Sequence, residues 1–176
     1  MKRKLIWILV FVILAAVAYS YYDRNTIRYT EFSDEFLAEF NFGILDNPET
    51  REKVRNSDCY RLSEFDTMPN MWEVFLQPNT AEFVLSAIFD SRSFEPRRGT
   101  YSLSWWRTNP NDSVYNDFSE QAAKAKYHCS VDFDSGEGDT LYLVTYGDSV
   151  KDCIKRMEEL LLKFYYDLRP ESPSQT

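Results

Sequence analysis

The chain contains a single histidine, and a serine or cysteine nucleophile would need that residue as its base. His128 precedes Cys129 on a predicted strand, so the two side chains point to opposite faces of a sheet. This arrangement disfavours a Cys–His pair, and we interpret His128 as a surface or sheet-face residue. The sequence carries no C-x-x-C pair, phosphate-binding glycine loop or recognisable pair of catalytic carboxylates. It therefore predicts no catalytic residue and no cofactor, and an enzyme of unrecognised type stays open as the alternative.

One predicted hairpin loop is rich in carboxylates and is a candidate for calcium binding. Calcium takes about six to eight oxygen ligands, which loops of this kind supply. The spacing departs from the EF-hand template, however, and glycine and aspartate are also ordinary turn residues. We predict a solvated turn without a metal, and the calcium alternative would use Asp132, Asp134, Glu137 and Asp139.

Arginine and tryptophan residues concentrate in the middle of an otherwise acidic chain. Both residue types are common in the hot spots of protein interfaces, and guanidinium groups also bind anions. The alternative is a solvated loop, with one tryptophan in the core and the other half covered by its sheet neighbours. The candidate partner-binding residues are Arg92, Arg97, Arg98, Trp105, Trp106 and Arg107.

The chain has three cysteines, so at most one disulfide can form within it. Cys129 lies on a predicted strand and Cys153 on a predicted helix, and both are expected to point into the core. In an oxidising compartment these two could form a disulfide. Two separate buried thiols are equally compatible with the pattern, because free cysteine is itself a good core residue.

The spacing of apolar residues predicts the elements that would position these side chains. Residues 82–166 read as strand–strand–helix twice, with strands 82–89 and 101–106 joined as a looped hairpin. The last helix has the clearest apolar stripe in the chain, preceded by Ser149 in a near capping box. An earlier helix is predicted over 31–42. The order indicates an α+β fold in which helices cover one face of an antiparallel sheet.

The N-terminus has the pattern of a signal peptide or a signal anchor. Lys2-Arg3-Lys4 precedes the apolar run Leu5–Ala18, and the cationic end is expected to stay in the cytoplasm. Ala16-Val17-Ala18 fits a cleavage site. Alternatively, tyrosines extend the run to Tyr22, giving a helix of about 27 Å with an aromatic belt at its end. Either interpretation places the rest of the chain on the far side of the membrane.

These features divide the chain into a leader (1–22), a polar connector (23–30), a single α+β domain (31–168) and a Pro/Ser-rich tail (169–176). The net charge of −8 disfavours nucleic acid as a partner. We predict a single-pass membrane protein, or a secreted one if the leader is cleaved. The domain is expected to bind another protein without catalysis, as an inhibitor, an immunity-like protein or an envelope component. The alternative is a periplasmic enzyme.

Overall fold

The computed structural model describes residues 2–45, 47–64, 71–76, 84–90, 100–108, 122, 124–134 and 140–170. Its helices are α1 (Lys2–Asn25), α2 (Asp34–Glu39), α3 (Pro48–Arg55) and α4 (Val150–Leu168), with a 3-10 turn at Phe42–Leu45. Its strands are β1 (Arg28–Thr30), β2 (Tyr60–Glu64), β3 (Met71–Leu76), β4 (Val84–Asp90), β5 (Thr100–Arg107), β6 (Tyr127–Asp134) and β7 (Thr140–Gly147).

Helix α1 contains the predicted apolar segment, from Leu5 through Ala18 to Tyr22. Within the described residues it is the one helix long and apolar enough to cross a membrane. Only 6% of its 18-residue apolar segment Ile6–Asp23 is buried. A helix of a soluble core would be mostly buried, so α1 is not part of the core. The expected connector over 23–30 is replaced by structure, because α1 continues to Asn25 and β1 begins at Arg28.

The strands form a seven-stranded sheet in the order β1-β5-β6-β7-β4-β3-β2, and every pair is antiparallel. The α+β class with an antiparallel sheet is therefore confirmed. The expected hairpin between strands 82–89 and 101–106 is wrong, because β7 and β6 lie between β4 and β5. Both edges of β4 are occupied, by β3 and β7, which leaves β5 to pair with β1 and β6.

Helix α4 covers β6 and β7 and supplies the centre of the core. Ser149 is its N-cap, and the Ser149 side chain accepts a hydrogen bond from the Asp152 amide, as the sequence predicts. The apolar stripe is fully buried at Cys153, Met157 and Leu161. It packs on the inward side chains of the central strands, which are Leu85, Ala87, Phe89, Cys129, Val131, Phe133, Leu141 and Leu143.

An aromatic layer attaches the chain before β2 to this core. Phe32 lies 4.5 Å from Phe36 and 6.2 Å from Phe133 between ring centroids, and Phe42 lies 5.4 Å from Phe89. Such pairs add about 0.5–1.5 kcal/mol each beyond their burial. Helix α2 is shorter than the predicted helix over 31–42, because Ser33 caps the amide of Phe36 and starts the helix there.

The predicted helix between β5 and β6 lies largely outside the described residues. Of the positions that are described there, Ala122 and Lys124 are helical. The opposite face of the sheet is buried at one end, at Ser104, His128, Val144 and Tyr146. Toward its other end the same face is exposed at Asp132 and Tyr142. The two faces of the sheet therefore present different chemistry, apolar under α4 and partly polar behind it.

Candidate functional site

The end of α1 is fixed to the edge of the sheet by a shared carboxylate. Asp23 is buried, and its Oδ1 lies 2.5 Å from an Nη of Arg28 on β1. Its Oδ2 lies 2.9 Å from an Nη of Arg107 at the end of β5. The Asp23 side chain is only 13% exposed, so water screens these pairs less than it would a surface pair.

Two aromatic rings complete this arrangement. The Arg28 guanidinium lies 4.8 Å from the centre of the Trp105 ring, and the Arg107 guanidinium lies 5.8 Å from that of Tyr127. The two rings contact each other edge to face, with 5.8 Å between centroids. We call Asp23, Arg28, Trp105, Arg107 and Tyr127 the junction cluster. Cation–π contacts of this kind contribute about 0.5–1 kcal/mol each when partly exposed.

The junction cluster lies at the end of the candidate membrane span, which terminates at Asp23. Tyr19, Tyr21 and Tyr22 are exposed on the last turns of α1, where a membrane interface would place an aromatic belt. The chemistry of the cluster is structural: two cations and a carboxylate hold a helix end against a sheet edge. Its effect is to couple α1 mechanically to β1 and β5.

The described members of the predicted arginine and tryptophan patch separate onto two faces of the sheet. Trp105 lies on the α4 side, under Arg28, whereas the adjacent Trp106 lies on the opposite side. Arg107 pairs with Asp23. Arg92, Arg97 and Arg98 lie outside the described residues. Trp105 and Arg107 thus contact α1 and β1 within the chain, and Trp106, half-buried, is the described member on the other surface.

His128 is fully buried on the sheet face opposite α4, so its interpretation as a surface residue is wrong and its assignment to a sheet face is right. Its ring stacks on Trp106 at 5.9 Å between centroids, and Nδ1 lies 2.8 Å from the Thr108 hydroxyl. Burial lowers its pKa to about 4, so the imidazole is neutral at physiological pH. Cys129 points to the α4 side of the same strand, as predicted.

The carboxylate loop is only partly described. Asp132 and Asp134 are exposed near the end of β6, on the face away from α4, and Glu137 and Asp139 lie outside the described residues. Within the described part of the chain, no group of three or more His, Cys, Asp or Glu side chains could hold a metal ion. The calcium alternative therefore stays a prediction for the loop as a whole.

An open cleft of about 300 Å³ lies beside the first turns of α4. The Arg156 guanidinium lies 4.6 Å from the centre of the Tyr146 ring at one side of it. Three carboxylates and two cations line it, so their charges largely offset one another. His128 is not among the described lining residues, which are Tyr146, Gly147, Asp148, Asp152, Lys155, Arg156 and Glu159.

Sequence reasoning missed Asp23, Arg28 and Tyr127 as members of the junction cluster. The available signal was an acidic residue directly after an apolar run, followed five positions later by an arginine. The third partner, Arg107, is brought in by the β1–β5 pairing, in which Arg28 lies opposite Trp105. No local pattern contains that pairing.

Comparison with known proteins gives no relative: no family model, no curated protein and no solved structure matches this chain.

Proposed function

We propose that this protein is a membrane-anchored domain that faces the extracytoplasmic side and binds another protein there without catalysing a reaction. The observation that carries the proposal is the exposure of α1 from Ile6 to Tyr22, while its last turn is held by the junction cluster. The described side chains from Ile6 to Tyr22 are exposed, and a continuous apolar surface of this kind is favourable in lipid and unfavourable in water.

The orientation follows from the basic start of the chain. Lys2, Arg3 and Lys4 form the first turn of α1 and precede its apolar segment, and positive charge is retained on the cytoplasmic side. The acidic domain then lies outside, where its net negative charge would attract a basic protein surface and repel nucleic acid. The residues that we assign to the partner surface are Trp106, which is described, and Arg97 and Arg98, which the sequence predicts to belong to the same patch.

The enzyme alternative is less well supported. The cleft beside α4 supplies carboxylates, but the only histidine is buried behind Tyr146, does not line the cleft and is neutral. An acid–base reaction there would depend on carboxylates that lie among Lys155 and Arg156, exposed to solvent on an open surface. Asp152 is also engaged in capping α4 with Ser149.

Topology is tested with paired reporters fused after Thr176 in a bacterial host. We expect alkaline phosphatase, which is active only after export, to be active, and a fluorescent protein that matures only in the cytosol to stay dark. Bright cytosolic fluorescence with inactive phosphatase would refute the orientation.

Partner binding is tested by photo-crosslinking in intact cells of the natural host. A photoreactive amino acid at Trp106 is compared with one at exposed Lys155 on the α4 side. We expect a discrete protein adduct from position 106, lost on Arg98→Ala substitution, and none from position 155. The same adducts from both positions, or none from either, would remove this surface from the proposal.

A further inference from the structure

The two buried cysteines belong to different elements and meet in the core. Cys129 on β6 and Cys153 on α4 are both fully buried, and their thiols share a hydrogen bond. The Cys153 Sγ also lies 3.9 Å from the Tyr127 carbonyl oxygen and 3.5 Å from the Thr145 hydroxyl. Thr145 is the direct cross-strand neighbour of Cys129.

The backbone at the end of β7 makes this approach possible. A Cβ on Gly147 would lie 2.8 Å from the Cys153 amide nitrogen and 3.2 Å from the Cys153 Cα. Only glycine leaves room there for the first turn of α4 to lie against the strand. The Thr145 hydroxyl donates a 2.9 Å hydrogen bond to the Cys153 carbonyl, which holds the same turn in place.

The third cysteine is excluded from this pair by position. Cys59 is exposed, just before β2, and β2 is the edge strand at the far end of the sheet from β1. Strands β7, β4 and β3 separate β6 from β2. Within one chain, Cys129 and Cys153 are therefore the one pair of cysteines placed to form a disulfide, and Cys59 is expected to remain a thiol.

We propose that Cys129 and Cys153 become a disulfide that covalently joins strand β6 to helix α4 in the mature protein. The oxidant is a disulfide compound, either a thiol oxidase or oxidised glutathione. One cysteine thiolate attacks it and forms a mixed disulfide, and the second cysteine then displaces the oxidant's remaining thiol. The two cysteines lose two protons and two electrons, and the oxidant leaves as two thiols. In the cell the bond rests on the exported location proposed above.

The burial of the pair determines when the bond forms. The hydrogen bond between the two thiols raises the pKa of Cys129 and lowers the pKa of Cys153, so the thiolate in the folded protein is confined to Cys153. An oxidant cannot reach that sulfur atom, because Cys153 has no exposed surface. The reaction therefore takes place before α4 closes on the sheet, or during its transient opening.

The experiment uses the full chain in detergent micelles, in two arms. One arm maps disulfides by mass spectrometry in protein isolated from cells, with free thiols alkylated. The other refolds reduced protein in a glutathione redox buffer, which is independent of the compartment. We expect a linked Cys129–Cys153 peptide and alkylated Cys59 in both arms, and the same bond in Cys59→Ser.

The timing has its own readout. The comparison uses the Cys59→Ser variant in both halves. Oxidised glutathione added while this variant refolds is expected to form the bond at least tenfold faster than the same reagent added to the folded, reduced variant. Equal rates would contradict formation before closure. This comparison keeps both cysteines, so it does not depend on whether a Cys153→Ser variant folds.

The two arms test the Cys129–Cys153 disulfide and the exported location of the domain separately. Alkylated Cys129 and Cys153 in both arms would overturn the disulfide. A bond in the refolding arm but not in cells would overturn the exported location, and with it the bond in the cell, while supporting the pairing itself.

Discussion

At the scale of single residues, His128 makes stability depend on pH. It is buried between its cross-strand neighbours Trp106 and Tyr146, with centroid distances of 5.9 and 6.4 Å. Its folded pKa of about 4 lies below the ordinary value of 6.5, so the unfolded chain takes up the proton first. The stabilisation is complete above pH 6.5 and is lost as the pH falls toward 4.

We expect His128→Gln to weaken this acid dependence. The pKa difference corresponds to about 3 kcal/mol, so the original chain should lose roughly that much more stability than the variant between pH 7 and 4. Urea unfolding of the full chain in micelles at several pH values measures the difference. Parallel pH profiles for the two proteins would show that His128 does not titrate as described.

Gly147 is the second residue with a specific steric role. Gly147→Ala should destabilise the protein by about 1–3 kcal/mol, because its Cβ would overlap the backbone of Cys153. Lys151→Ala, at an exposed position of the first turn of α4, is the matched control and should change stability by less than about 0.5 kcal/mol. An unchanged urea midpoint for Gly147→Ala would mean that α4 can move away from β7 at little cost.

At the scale of elements, the junction cluster determines how α1 is attached. Asp23→Asn removes a charge that faces both Arg28 and Arg107, leaving two cations side by side. We expect a loss of about 1–3 kcal/mol, concentrated at β1. Amide hydrogen exchange of the peptide that contains Arg28–Thr30 should rise at least tenfold, while that of β6 and β7 stays unchanged.

Asp58→Asn is the control for that experiment, because Asp58 is exposed before β2 and away from the cluster. It should leave exchange at β1 unaltered. If Asp23→Asn also leaves β1 exchange unaltered, the ion pairs do not hold the strand, and its backbone pairing with β5 and the Arg28–Trp105 contact are sufficient to do so.

The elements themselves were largely predictable, and their pairing was not. The alternation in β4–β7 and the stripe and cap of α4 are local signals, and the structure has them where the sequence indicates. The placement of β7 beside β4 depends on contacts distant in the chain, such as Leu85 opposite Leu143. The three-residue strand β1 exists because β5 offers it a partner, so its own residues carry too little pattern to predict it.

The candidate site was predictable to a smaller extent. Alternation correctly placed Trp105 and Trp106 on opposite faces and Cys129 in the core, and the helical spacing of apolar residues did the same for Cys153. It could not show that His128 would be buried, because alternation says which face a residue occupies and not whether that face is covered. It also could not reveal Asp23 as the partner of Arg107, since that contact requires the whole sheet edge.

At the scale of the whole molecule, the exposed apolar part of α1 contributes little to the stability of the folded domain, which α1 contacts through Asp23 at its end. Val12 is 57% exposed in the middle of α1, so Val12→Arg should leave the core intact while disfavouring membrane insertion by about 2.5–3.5 kcal/mol. We expect the variant to shift from the membrane fraction in cells and to unfold in micelles at the original urea concentration. Val12→Leu should behave as the original chain. Loss of the folded domain in Val12→Arg would identify α1 as a core helix instead.

A short, rigid attachment also limits where the domain can go. A long flexible linker would let it sample a hemisphere, whereas with α1 in a membrane, as proposed, the Asp23 contacts would keep the domain at a set height and tilt above the lipid headgroups. Its search for the proposed partner would then become two-dimensional, by lateral diffusion within the membrane plane. A companion held at the same height would meet it at a raised effective concentration, so modest intrinsic affinity would suffice for lasting association.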